Sequence, residues 1–205
     1  MSIRPILLIV FICLSLQIQA QENYFFFNWD VNTPLSNKEW IEKTSTRGAK
    51  IGFRKFVGTE RKYALGVDVN WSYFQEYKPT ETFQRPGGAI TTDYFNDLFL
   101  IGITAHGQYY FPVGNREHVF PYAGFGLGAN RNVFTVSYNI YQDEEIGWGL
   151  LARPEAGVLV RIGTRRKLGA MAAVHYDYST AKSSSYEYNN FTSFGFQLGV
   201  MLLQW

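Results

Sequence analysis

The chain has 205 residues with 19 Lys and Arg against 17 Asp and Glu, 18% aromatic residues, a single cysteine and a slightly negative mean hydropathy. This near balance of charge gives no basis for a nucleic-acid partner, and one cysteine rules out a disulfide scaffold. Beyond the N-terminus no segment approaches the roughly 20 apolar residues that a spanning helix needs, so a membrane role would have to rest on strands, whose hydrophobicity is hidden in alternation.

The N-terminus reads as a secretory signal. Arg4 supplies a positive charge, Ile6 to Leu16 is an apolar run, and Ala20 is a small residue just before Gln21. The run is too short to stay as a spanning helix. Cleavage near Ala20 is therefore expected, leaving a single mature domain at 21–205. Cys13 falls inside the removed segment, and Ile12 before it is not the small residue a lipoprotein requires. The mature chain then has neither a disulfide nor a thiol ligand.

Eight alternating runs follow in chain order. Phe25, Phe27, Trp29 and Val31 alternate with Tyr24, Phe26, Asn28 and Asp30. Ile51 and Phe53 alternate with Gly52 and Arg54, although Lys55 and Phe56 blur the end. The third run is the clearest. From Tyr63 to Tyr73 the odd positions are Tyr, Leu, Val, Val, Trp and Tyr, and the even positions Ala, Gly, Asp, Asn and Ser. Successive side chains of a strand point to opposite faces, so one face is apolar and the other small or polar. The pattern recurs with Phe99, Ile101, Ile103 and Ala105, then with Ala123, Phe125 and Leu127. It continues with Trp148, Leu150, Ala156, Val158 and Val160, and with Leu168, Ala170, Ala172, Val174 and Tyr176. In the eighth run, Phe191 to Trp205, two registers compete. Met201, Leu203 and Trp205 define one, and Phe194, Phe196, Leu198, Val200 and Leu202 the other. A bulge near Val200 to Leu202 would reconcile them.

Connections alternate in length. Short polar turns lie around Thr59 and Glu60, Gly114 to Arg116, and Thr164 to Arg166. Longer loops are expected at Ser36 to Thr46, Pro79 to Thr92, Asn139 to Gly147 and Lys182 to Asn190. Short turns on one side and long loops on the other, with an even strand count, describe an all-β, eight-stranded antiparallel up-and-down transmembrane barrel with both termini in the periplasm. Its polar face carries Gly, Ala, Asn, Asp and Ser where a soluble barrel would show Lys, Glu and Thr, so the apolar face points outward to lipid. Two aromatic bands are expected, at Tyr63, Tyr109, Tyr110, Phe111 and Phe120 near the short turns and at Trp71, Tyr73, Tyr94 and Trp148 near the loops.

Pro121 to Asn130 (PYAGFGLGAN), Gly48 to Arg54 with Tyr63 to Val67, and Pro154 to Val158 resemble the fifth, second, third and sixth strands of the outer-membrane β-barrel domain family that includes OmpA-like and OmpX-like small barrels. The resemblance implies a place in the outer membrane of a Gram-negative-type envelope. It also implies delivery by the barrel-assembly machinery through a last strand ending at Trp205. It identifies architecture and says little of activity.

Inward-facing ionisable residues are the remaining constellation: Asp30, Arg54, Asp68, His106, Arg153, Glu155, Arg161, His175 and Asp177. Such residues at membrane depth are functional candidates, but in a narrow barrel paired charges also make a rigid plug. A turn centred on Arg165 sets Arg153 opposite Asp177 and Glu155 opposite His175, and a turn centred on Glu60 sets Arg54 diagonal to Asp68. The expected lumen network is therefore Arg54, Asp68, Arg153, Glu155, His175 and Asp177. An enzyme is not expected, because His175 and Ser179 lack the His-Ser-Asn run of lipid-modifying barrels. His106, His118 and His175 show no metal-ligand spacing, no cofactor is expected, and Gly124, Gly126 and Gly128 sit mid-strand as packing glycines. The expectation is a structural or surface-interaction protein with a charge-plugged lumen, bulky inward Phe26, Tyr110 and Tyr122, and ligand or partner contacts through the long loops. The alternative is a porin-like channel for small solutes or hydrophobic compounds, as in OmpW-like barrels.

Overall fold

The computed structural model describes residues 22–204 except 59, 86, 113–117, 163–166 and 187. The signal segment, Trp205, and the short turns at 114–116 and 164–166 lie outside the described residues. Among those described are eight strands: β1 (Asn23–Pro34), β2 (Ser45–Val57), β3 (Tyr63–Arg85), β4 (Gly88–Tyr110), β5 (Val119–Tyr138), β6 (Tyr141–Ile162), β7 (Leu168–Ser179) and β8 (Phe191–Gln204). Each pairs antiparallel with its chain neighbour, and β1 pairs with β8 to close the barrel.

Alternation becomes the two walls directly. In β1, Tyr24, Phe26, Asn28 and Asp30 are buried inside while Phe25, Phe27 and Trp29 are exposed outside. Outward rings meet across the ladder: Phe25 opposes Phe53 with centroids 4.9 Å apart, and Tyr63 opposes Tyr109 at 5.1 Å. Such opposed aromatic pairs are what stabilises one face of an antiparallel pair. The blur at the end of β2 resolves cleanly, with Phe56 buried inside and Lys55 on the outer side.

Two of the expected loops are strands. β3 and β4 are each 23 residues long and β6 is 22, far beyond the ~9–11 residues that cross a bilayer. Pro79 sits where the β3–β4 register shifts, between Lys78 and Glu81, the kind of interruption at which a residue with no N–H is tolerated. Past it, Thr82 and Thr91 share a hydroxyl hydrogen bond of 2.9 Å, and Gly87 takes a φ of 94° in the tip. Tyr138 opposes Tyr141 across a tight turn in which Asn139 has a φ of 52°. These extensions do not alternate apolar with polar, because beyond the apolar belt neither face contacts an apolar phase, and composition there reads as loop.

The last strand needs no bulge. β8 runs in unbroken register with both neighbours, with Phe194, Phe196, Leu198, Val200 and Leu202 outside and Met201 and Leu203 buried inside. Both apolar series are real because the lumen at the short-turn end is itself apolar. For the same reason Tyr110, expected both in the outer band and among the bulky inward groups, takes the inward place, and Phe120 lies over the Arg161 guanidinium at 4.6 Å. Tyr94 turns to the inner side of the β3–β4 extension, where it meets Phe83 edge-on at 5.0 Å. Tyr63, Tyr109 and Phe111 at one end and Trp148, 71% exposed, at the other remain outside.

Candidate functional site

The lumen is filled in three layers. At the short-turn end Tyr24, Phe26, Phe56, Tyr110, Tyr122, Met171, Met201 and Leu203 form one buried cluster. The Tyr24 hydroxyl donates to Gln108 Oε1 at 2.8 Å and lies 2.6 Å from the Tyr110 hydroxyl, so the plug is tied to the polar layer above it.

That layer is built around Lys50. Its ammonium reaches Glu155 Oε2 at 2.6 Å and Asp68 Oδ2 at 3.2 Å, with Lys50 only 1% exposed. Arg54 holds Asp68 with two parallel hydrogen bonds, one of them Nη2 to Oδ2 at 2.6 Å, and lies over the Phe26 ring at 5.1 Å. Glu155 further accepts from Gln108 Nε2 at 2.8 Å and Gln197 Nε2 at 3.1 Å, while His106 Nε2 stands 3.6 Å away. Toward the long loops a second group forms. Arg153, fully buried, donates from Nε and Nη2 to the two oxygens of Asp177, the latter at 2.5 Å, and Asp30 lies 3.6 Å from Nη2. A planar guanidinium met by a carboxylate in this two-pronged way is the strongest form of such a pair.

Four of the residues named from sequence therefore meet in pairs, Arg54 with Asp68 and Arg153 with Asp177. The other two do not meet. Glu155 opposes His175 in the β6–β7 register, but its carboxylate turns to Lys50. His175 Nε2 pairs instead with Asn32 Oδ1 at 2.9 Å, with Asp30 at 3.5 Å. Arg161 stands apart at the short-turn rim, 3.3 Å from Glu22. Sequence reasoning missed Lys50. The signal is present, since Gly48, Lys50, Gly52 and Arg54 share one period-two face, but the opposite face becomes strongly apolar only from Ile51 onward. Glycines make room for the two buried histidines. A Cβ at Gly126 would lie 2.6 Å from His106 Cδ2, and one at Gly195 would lie 2.3 Å from His175 Cε1.

Ser179 and His175 both face inward without touching. Ser179 Oγ accepts from Asn130 Nδ2 at 2.7 Å and from the Ala181 amide at 3.2 Å. Among the described residues no cluster of His, Cys, Asp or Glu is arranged to hold a metal ion.

The third layer closes the long-loop end. Ile41, Phe74, Leu98, Leu100, Phe134, Tyr188 and Phe191 are buried together, with Trp40 set edge-on to Phe134 at 5.6 Å and to Tyr188 at 5.7 Å. The two loops that supply this cap are stitched to each other. Leu35 N donates to Thr192 O at 2.8 Å, Asn37 Nδ2 to Asn190 O at 2.7 Å, and Thr192 N to Ser36 Oγ at 2.8 Å. Above the belt, Glu145 accepts from Ser183 Oγ at 2.6 Å and from the amides of Ser184 and Ser185. The Ser183 hydrogen bond, followed by the amides, lowers the Glu145 carboxyl to about 2. A depressed carboxyl contributes stability above its unfolded value of 4.5 that is lost as pH falls through 2. Amide exchange at Ser184 and Ser185, corrected for its intrinsic pH dependence, is expected to quicken between about pH 4.5 and 2, and to be quick already at pH 7 in Glu145→Gln. Protection unchanged in both cases would count against this clamp.

No family model matches the chain, and no curated protein sequence does either. Solved structures do. Ail, the attachment invasion locus protein of Yersinia pestis, superposes with a TM-score of 0.55 at 13% identity, covering 91% of this chain and all of that one. A second Ail structure, in complex with the heparin analogue sucrose octasulfate, gives 0.54 at 14% identity with the same coverage. Neisserial surface protein A aligns over 89% of this chain and 96% of its own, at 16% identity and a TM-score of 0.49. The fold is that of the small eight-stranded outer-membrane β-barrels.

Proposed function

We propose that the mature protein is an integral outer-membrane barrel with a closed lumen, acting as a structural or surface-interaction protein through its long-loop end. The observation that carries this reading is the filling of the lumen. An apolar plug, two groups of buried ion pairs and an aromatic cap lie one above another inside an eight-stranded wall, whose bore is only wide enough for side chains. The outward belt of Phe, Leu, Val and Trp supports insertion in lipid, since within the closed ring each strand is paired on both sides and little ladder is left to face lipid unpaired. Insertion by the barrel-assembly machinery through the final strand, and removal of residues 1–20 on export, belong to the same proposal.

A non-enzymatic role is supported by the separate hydrogen-bond partners of His175 and Ser179, which leave no base beside the hydroxyl. The Ail complex with a heparin analogue indicates that a barrel of this fold can take a ligand. For this chain the stitched loops and the projecting β3–β4 and β5–β6 hairpins are the parts that would reach one.

Planar-bilayer recording tests the closed lumen. Folded protein, identified by its heat-modifiable mobility in detergent, is expected to give no stable open conductance. A steady wild-type channel would overturn the reading in favour of a small-solute pore.

A further inference from the structure

The long-loop end holds a feature that lumen closure does not require. An open cleft of about 590 Å³ lies between the loop from Leu35 to Trp40, Tyr186 and Tyr188 of the loop before β8, and β4, within the roughly 300–1,000 Å³ common for small-molecule sites. Lys38, Glu39, Trp40, Tyr94, Asn96 and Tyr186 line it. Trp40 and Tyr186 are only partly buried, with ring centroids 5.5 Å apart and planes inclined by 31°. They present an aromatic wall whose two rings are already braced by each other and by the cap beneath.

Two residues that line this cleft, Asn96 and Tyr188, each carry a buried side-chain oxygen without a hydrogen-bond partner. Asn96 is 2% exposed, and its Nδ2 donates to Trp40 O at 2.9 Å, but its Oδ1 has no hydrogen-bond partner. Most of the other buried side-chain atoms left open lie inside the enclosed lumen, whereas these two belong to residues at a cleft that a ligand can enter, and a donor arriving with a ligand satisfies the acceptor. The charges at the lip, Lys38 and Glu39, are adjacent in sequence, exposed and opposite in sign, so the cleft offers no net attraction for a polyanion or a polycation.

We propose that this cleft is a binding site for an uncharged sugar residue of a glycan. The C–H face of a pyranose is slightly positive and packs on the negative faces of Trp40 or Tyr186. A ring hydroxyl donates to Asn96 Oδ1, and the remaining hydroxyls satisfy Lys38 and Glu39 at the lip. A flat apolar compound would cover the same rings but leave Asn96 Oδ1 unpaired and desolvate the lip charges without compensation. The loop ties from Leu35 to Thr192 and from Asn37 to Asn190 hold the cleft in shape before any ligand arrives, which lowers the ordering cost of binding. The site rests on the reading that the long-loop end faces outward and meets partners.

Saturation-transfer difference NMR on the full mature protein in lipid nanodiscs is the test. The probes are lactose, maltotriose and triacetylchitotriose, with dephosphorylated, deacylated lipopolysaccharide core oligosaccharide as a second arm and a heparin hexasaccharide as the polyanion. Saturation transfer concentrated on sugar ring protons is expected for at least one uncharged probe. Its affinity by calorimetry should fall at least tenfold in Trp40→Ala and in Asn96→Leu, and less in Trp40→Phe, which keeps an aromatic face should the alanine variant fold poorly. Binding of the core oligosaccharide alone assigns the sugar to the membrane's own lipid; binding of the free oligosaccharides assigns it to an outside glycan. No transfer to an uncharged sugar residue in either the free oligosaccharides or the core oligosaccharide, binding of the heparin fragment alone, or unchanged affinity in folded Trp40 and Asn96 variants overturns the proposal. A silent lumen without sugar binding would sink only this site, whereas sugar binding by a conducting barrel would sink only the closed-lumen reading.

Discussion

Lys50→Met is expected to lower the unfolding free energy by about 3–5 kcal/mol, the usual loss when one partner of a buried ion pair is removed. Methionine nearly matches the length of the lysine stem, so the change is chiefly the loss of a positive charge. Asp68 keeps its two bonds from Arg54, but Glu155 is left in a fully enclosed layer with only the neutral amides of Gln108 and Gln197 as close donors. The stranded carboxylate is what makes the single change severe. Lys50→Met combined with Glu155→Gln should therefore recover most of the loss, because replacing both members of a buried pair is often close to neutral. Urea unfolding from phospholipid vesicles, followed by tryptophan fluorescence, gives all four corners of the cycle. A single variant as stable as wild type, or a double variant as weak as the single, would show that Lys50 is not the centre of the layer.

Val67→Arg should block insertion, with a cost of about 2–4 kcal/mol for a lipid-facing arginine near the bilayer midplane. Val67 is 53% exposed on the outer wall, between Phe53 on β2 and Ala105 on β4, where a guanidinium finds neither water nor a carboxylate. Ser184→Arg, on an exposed loop residue, is the control and should fold as wild type does. Folding yield in vesicles, read from the shift between folded and unfolded gel bands, checks it. Equal yields for the two variants would mean that the outer wall is not the lipid-facing one.

Strand legibility tracked the number of phases a segment touches. From Tyr63 to Tyr73 one face meets the apolar exterior and the other a polar lumen, so the sequence alternates. From Gln75 to Arg85 both faces leave that environment, and the same strand continues with no pattern to reveal it. In β8 the difficulty was the reverse. Met201 and Leu203 face an apolar plug while Val200 and Leu202 face outward, so both registers are apolar and neither stands out.

Within hairpins, chain order alone determines which residues oppose one another. A short turn leaves its two strands little freedom to slide, and a slip by one residue would turn every side chain to the wrong wall. The opposition of Arg54 to Gly66 and of Glu155 to His175 is readable on that ground. Contacts between strands distant around the ring are not. Lys50 on β2 meets Glu155 on β6, Asp30 on β1 meets Arg153 on β6, and Asn32 on β1 takes His175 on β7. No local turn relates these strands. Only closure of β1 onto β8 gives the wall the curvature that brings them face to face, and only then does the carboxylate of Glu155 have a choice between His175 beside it and Lys50 across the bore. It takes the lysine, because a buried carboxylate is better compensated by a full positive charge than by an imidazole.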